Sequence, residues 1–188
     1  MRVGTLSMQG DVREHLAALA AAGAEPVEVK RPEQLADLAG LVIPGGESTA
    51  IGKLMVRWGF MTAVAQAVGR GLGVYGTCAG LILLADDIVG SDQPRLGLLP
   101  MTVHRNAYGR QRESFEADLA IPALGEAPFR AVFIRAPYIE SVRPPVEVLA
   151  EHDGHIIMAR LGRHLVSSFH PELTGDSRVH RLFLAGLA

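Results

Sequence analysis

The stretch "GVYGTCAGLILLA", residues 73–85, sets a strand-like apolar segment against a helix-like one with almost nothing between them. Val74 and Tyr75 run into the small residues Gly76, Thr77 and Ala79, and the apolar pattern resumes from Leu81 to Leu84. Between the two stands Cys78, the only cysteine of the chain. Strand, tight turn and helix is the unit from which parallel α/β sheets are built, and such sheets place their sites beyond the carboxyl ends of the strands. Cys78 falls at that place. A crowded strand-to-helix turn requires small neighbours, which Gly76, Ala79 and Gly80 supply, and the start of a helix favours a thiolate. On this segment alone, a small buried hydrophobe and an activated thiol are equally good readings.

The segments upstream alternate in the same way. "RVGTLSM" reads as a strand, and "DVREHLAALAAAG" as a helix with Val12, Leu16, Leu19 and Ala20 on one face and Gly23 placed to stop it. "PVEVK" is a second strand, "PEQLADL" a short helix, and "GLVIP" a third strand followed by the loop "GGES". "TAIGKLMVRWGFMTAVAQAVG" reads as helix with a break at Gly59. Downstream, "LLPMTVHR", "ESFEADLA", "FRAVFIRA", "VEVLAEH", "HIIMARLG" and "RHLVSSFH" are strand-like, some joined by turns such as "HDGH", and "SRVHRLFLAGL" is a closing helix. The expected fold is α/β: a doubly wound, mostly parallel sheet flanked by helices, with an added antiparallel portion in the second half. No linker or repeat divides the chain, so residues 1–188 are expected to form a single domain.

Composition narrows the function. With 188 residues, 48% of them hydrophobic, and a net charge of −2, the chain has material for a full core and no electrostatic bias toward nucleic acid or an anionic membrane. No apolar run reaches bilayer length, and the start "MRVGTLSMQG" lacks a signal-peptide h-region. One cysteine cannot form an intramolecular disulfide, which suits a reducing compartment; the expected location is cytoplasmic.

"SSFHPEL", residues 167–173, raises the functional reading of Cys78. Pro171 disfavours helix at His170, and in an extended chain residues two apart point the same way, which would set His170 beside Glu172. A carboxylate orienting an imidazole is the base arrangement a thiol nucleophile uses. "IPGGEST", residues 43–49, adds exposed backbone N–H groups at the same sheet edge, able with the N–H of Ala79 to hold an oxyanion, while Ser48 or Thr49 caps the next helix. Two other signals carry little. Gly71, Gly73 and Gly76 match G-x-G-x-x-G formally but enter a strand instead of leaving one. His152 and His155 border a hairpin turn and lack the second ligand cluster of a metal site.

Taken together, Gly76-Thr77-Cys78-Ala79-Gly80, Pro44-Gly45-Gly46-Glu47-Ser48 and His170-Pro171-Glu172 resemble the class I glutamine amidotransferases. More narrowly, "LSMQGDVREH", "PGGEST", "GTCAGLILLA", "HRNAYGRQRESF", "FIRAP" and "FHPELTGD" resemble the glutaminase subunits of pyridoxal 5'-phosphate synthases, in order and over nearly the whole chain. The resemblance implies a three-layer sandwich in which Cys78 is nucleophile, His170 general base and acid, and Glu172 the orienting carboxylate. It implies an oxyanion hole from the backbone of Gly46 and Ala79. It assigns L-glutamine to Gly46, Glu47, Ser48, Arg105, Ile134 and Arg135. Apart from the resemblance, the place of Arg135 inside the apolar run "AVFIRAP" predicts a buried guanidinium that needs a partner, not a solvated charge. Neither metal nor organic cofactor is implied. The partner implied is a separate synthase subunit, joined in a hetero-oligomer, that takes the ammonia to build pyridoxal 5'-phosphate. Ser7-Met8 and Tyr108 depart from the pattern, the first for a more apolar pair and the second for phenylalanine. Another cysteine hydrolase of the same fold and a non-catalytic regulatory subunit are the rival readings.

Overall fold

The structure, a computed structural model, describes residues 1–105 and 114–188; Tyr108 and the middle of "HRNAYGRQRESF" lie outside the described residues. The first half alternates as its sequence does. Strand β1 (Arg2–Leu6) leads to helix α1 (Val12–Ala21), β2 (Glu25–Val29), a 3₁₀ turn (Pro32–Leu35) and β3 (Gly40–Ile43). Helices α2 (Ser48–Arg57) and α3 (Phe60–Gly69) follow, parted where Gly59 takes a left-handed φ of 75°. Then come β4 (Gly73–Thr77) and α4 (Ala79–Leu84).

The second half is strand-rich. It comprises β5 (Ala85–Ile88), β6 (Leu99–His104), β7 (Ser114–Leu119), β8 (Phe129–Ile134), β9 (Tyr138–Val142), β10 (Glu147–His152), β11 (His155–Leu161) and β12 (His164–Ser167). Helix α5 (Arg178–Ala185) closes the chain. Among the described residues one sheet runs in the order β2-β1-β3-β4-β12-β11-β9-β6-β5, with β10 beside β11, and β7 and β8 form a separate antiparallel pair. The β2-to-β12 part is wholly parallel; β11, β9 and β6 pair antiparallel, and β5 returns parallel to β6. The mostly parallel, doubly wound sheet with an antiparallel addition is therefore present, as a mixed sheet with flanking helices. β10 and β11 turn at Asp153 and Gly154, both with positive φ, so His152 and His155 border a hairpin as expected.

Two cores sandwich the sheet. Leu41, Ile43 and Val74 face Ile51, Met55, Phe60 and Leu81 on one side, while Val3, Val42 and Tyr75 face Leu19, Val179 and Phe183 on the other. Strands covered on both faces read as continuous apolar runs without alternation, which is why "GLVI" and "GVY" are legible as interior parallel strands. Helix α1 turns out rotated from the expected face: His15 and Leu19 are buried, whereas Ala20 is exposed. Leu19 and His15 are one turn apart and define the inward stripe.

Candidate active site

Four parallel strands deliver their carboxyl ends to one edge. Register pairs Ile43 with Gly76 and Thr77 with Ser167, so the residues that follow β3, β4 and β12 emerge side by side. These are the Pro-Gly-Gly-Glu loop, Cys78, and the segment running to His170. The loop after β1, carrying Gln9 and Asp11, joins them. A cavity of about 450 Å³ opens there, a size suited to a single small ligand.

Cys78 sits at its floor with φ 49° and ψ −102°, a conformation that costs a non-glycine residue strain and marks functional turns. The elbow is held from both sides. Cys78 N–H donates to the Ser167 carbonyl at 2.8 Å, and a Cβ on Gly76 would meet the Gly80 backbone at 2.5 Å. Cys78 is 7% exposed, and its Sγ lies 3.9 Å from the Ile134 carbonyl oxygen.

His170 is buried beside it. Its backbone N–H donates to the Val132 carbonyl at 2.8 Å, tying the segment to β8, and its Nδ1 lies 2.8 Å from Glu172 Oε1. A methyl on Gly45 would meet both the His170 ring, at 2.5 Å, and Cys78 Cβ, at 3.5 Å, so ring and thiol close on the same small residue. Burial works against charge on the imidazole, but Cys78 and Glu172 overcome it through hydrogen bonding and charge and hold its pKa at about 10. Burial also opposes the Glu172 carboxylate, yet the facing imidazoles of His15 and His170 hold its pKa well below the usual carboxylate range. The dyad forms by a different route from the extended one expected. Pro171–Leu173 is a 3₁₀ turn, and it is this turn that brings Glu172 back under the ring. Asp11 adds a carboxylate oxygen 3.6 Å from His170 Nδ1. Asp11, His170 and Glu172 thus hold three donor atoms within 4.8 Å of one another, a cluster that the His170–Glu172 hydrogen bond already accounts for.

This chain matches the SNO glutamine amidotransferase family over residues 5–187. It is 61% identical to the pyridoxal 5'-phosphate synthase subunit PdxT of Pelotomaculum thermopropionicum over 184 residues, covering 98% of this chain and 94% of that one. The chain belongs to the SNO glutamine amidotransferase family. The subunit of the same name from Moorella thermoacetica is 58% identical over 98% of both chains. A crystal structure described as a glutamine amidotransferase superposes with a TM-score of 0.93 at 50% identity, over 98% of both chains.

Within this family member, Gly46, Glu47, Ser48, Cys78, Ala79, Arg105, Ile134, Arg135 and His170 all line this cavity, and Glu172 stands behind His170. Three of them differ in detail from expectation. Arg135 is exposed, not a buried guanidinium; it follows β8 with φ 42° and borders the cavity from the solvent side. The cap of α2 is Glu47, neither Ser48 nor Thr49. Its carboxylate accepts from Thr49 N–H at 3.1 Å and Ala50 N–H at 2.7 Å, while Arg105 Nη2 reaches it at 3.2 Å. Ser48 is inside the helix, its hydroxyl donating to Gln93 Oε1 at 3.2 Å. Gly46 has φ 140°, open to glycine and strained for other residues, and stands against Gln9, whose Oε1 accepts the Glu47 N–H at 3.0 Å.

Sequence reasoning missed Gln9, Asp11, Ile82 and Pro137 as cavity residues, and Gln93 as the buried amide joining Ser48 to Arg105, whose Nη1 donates to its Oε1 at 2.8 Å. Gln9 and Asp11 had a signal, since they follow the carboxyl end of the first strand as Cys78 follows the fourth. Gln93 had none, because it lies in an irregular segment whose path only the fold defines.

Proposed function

We propose that this chain hydrolyses the side-chain amide of L-glutamine through Cys78, His170 and Glu172. The Cys78 thiolate adds to the amide carbon, and the tetrahedral oxyanion is held by the backbone N–H groups of Gly46 and Ala79. Charged His170 gives its proton to the departing nitrogen, releasing ammonia and leaving a glutamyl thioester. Neutral His170 then takes a proton from the water that attacks the thioester; the intermediate expels the Cys78 thiolate, glutamate leaves, and thiolate and charged His170 are restored. Glu172 keeps the ring in place and stabilises its charged form throughout. Glu47, Ser48, Arg105, Ile134 and Arg135 surround the amino-acid end of the substrate.

The chain is the glutaminase subunit of a pyridoxal 5'-phosphate synthase: its relatives are named as subunits of that synthase, and its family is one of glutamine amidotransferases. We further take it to work in the cytoplasm as a single domain over 1–188, passing ammonia to a separate synthase subunit within a hetero-oligomer. No helix among the described residues is long and apolar enough to cross a membrane. The observation that carries the catalytic reading is the strained Cys78 elbow opening into the same cavity as the His170–Glu172 dyad.

Purified protein, mixed with a synthase subunit and L-glutamine, is expected to release glutamate, and Cys78→Ala to lose at least about 10³-fold in turnover with an unchanged fold. A folded Cys78→Ala protein that hydrolyses glutamine at the original rate overturns the assignment.

A further inference from the structure

Behind Glu172 lies a second set of imidazoles that the reaction above does not use. His15 on α1 and His180 on α5 are each 0% exposed, as is Thr77 at the end of β4. His15 Nε2 is 3.1 Å from Thr77 Oγ1 and 3.4 Å from Glu172 Oε1, and His15 Nδ1 is 3.1 Å from His180 Nε2. Other titratable groups around this set are His170, Asp11 beyond it, and the buried phenol of Tyr75, whose ring stands edge-on to both His15 and His180.

Hydrogen bonding selects the tautomers. A bare lone pair on His15 Nε2, facing a carboxylate oxygen at 3.4 Å, would be repulsive, so Nε2 carries the proton. When His15 is neutral, its Nδ1 must accept, and the donor is His180 Nε2–H. His180 Nδ1 is then a bare nitrogen, which matches its burial without a hydrogen-bond partner among the described residues; the reverse arrangement would bury an unpaired N–H. Burial and the neighbouring His15 push the His180 pKa down to about 3, keeping that ring neutral.

Glu172 Oε2 is also buried without a partner among the described residues, where the carboxylate is held through Oε1, between the imidazoles of His15 and His170. We propose that His15, held in its Nε2–H tautomer by His180, is a positioning residue that turns Glu172 Oε1 toward His170. This rests on the hydrolytic reading of Cys78, His170 and Glu172. It implies that the working unit extends from the thiol through the sheet edge to α1 and α5, each contributing one buried ring.

The test is steady-state hydrolysis of L-glutamine by the chain in complex with its synthase subunit. His15→Leu is expected to lower kcat about 10- to 100-fold, the scale of losing a group that orients a reacting one, with KM within about twofold of its original value. His15→Gln, whose amide offers a donor where Nε2–H stood, is expected to restore most of the loss. In a Glu172→Gln background, His15→Leu is expected to cause no further loss, because the residue it acts through is already altered. Equal losses in the two backgrounds, or a folded His15→Leu protein with unchanged kcat, overturn the proposal. Should the leucine variant not fold, ¹⁵N spectra of the imidazoles in the unmodified protein decide. Protonated His15 Nε2 supports the proposal, and the Nδ1–H tautomer with bare Nε2 overturns it. An unmodified complex that does not hydrolyse glutamine defeats the hydrolytic reading instead, and leaves the tautomer measurement intact.

Discussion

At the scale of single residues, the site is a line of charge held against burial. His170, Glu172 and His180 are among the groups that titrate differently in the folded chain, and the sign of each shift fixes how its contribution to stability varies with pH. His170 is raised from an ordinary 6.5 to about 10, so its contribution is complete below 6.5 and is lost as pH rises toward 10. Glu172 is lowered from 4.5, so its contribution is complete above that value and is lost in acid. His180 is lowered from 6.5 to about 3; the unfolded chain takes up a proton below 6.5 that the folded chain refuses, and stability falls from there downward. The three together place the maximum near pH 6.5. Thermal unfolding across pH 4 to 10 is expected to show it, and His170→Asn is expected to flatten the alkaline limb while leaving the part of the acid limb that His180 carries. An alkaline limb of unchanged slope in that variant would mean that His170 is not the group holding the proton.

At the scale of elements, the strand-to-helix elbow depends on a crossing too close for any side chain. A Cβ on Gly80, at the first turn of α4, would run into the carbonyl of Ile43 at the end of β3, and backbone cannot rotate away as a side chain can. Gly80→Ala is therefore expected to cost at least about 2 kcal/mol in denaturant unfolding and to displace Cys78. Gly69→Ala, with nothing within 4 Å at the end of α3, is expected to be neutral or slightly stabilising by comparison. Equal effects of the two would show that the elbow tolerates a methyl. The same crowding explains what could be read in advance. Small residues around a lone cysteine mark a tight turn whatever the partner, so β4, Cys78 and α4 were legible, as were β1, β3 and the break at Gly59. Strand β5 was not, because "LILLADDI" passes from helix to strand with no turn residue between them. β9 was hidden by its polar residues Glu140 and Ser141. His15 escaped because helical periodicity counts apolar residues, and an inward histidine leaves the stripe looking incomplete until its partners arrive from α5 and the His170 segment.

For the whole molecule, the question is where the ammonia goes. The main sheet, its two cores and the site cavity lie within the described residues, and the family match runs over residues 5–187; the acceptor proposed above is a separate synthase subunit. Ammonia released into water near neutral pH is mostly protonated and no longer nucleophilic. Useful transfer therefore requires a closed path, and hydrolysis without an acceptor in place wastes glutamine. The cavity has a component suited to such control. Gly46 holds φ 140°, and a glycine can reorient its peptide at little cost, while the next N–H, that of Glu47, is held by Gln9 from the loop after β1. Glu47 in turn caps α2, so the loop is anchored on its helix side and adjustable on its strand side. Docking of the synthase subunit is expected to aim the Gly46 N–H at the oxyanion position and thereby raise turnover. Steady-state glutamate release by the isolated chain, compared with the chain plus excess synthase subunit, measures this directly. Higher turnover in the mixture, together with a complex on sizing, is the expected outcome; equal turnover with no complex would remove both the partnership and the loop's part in it.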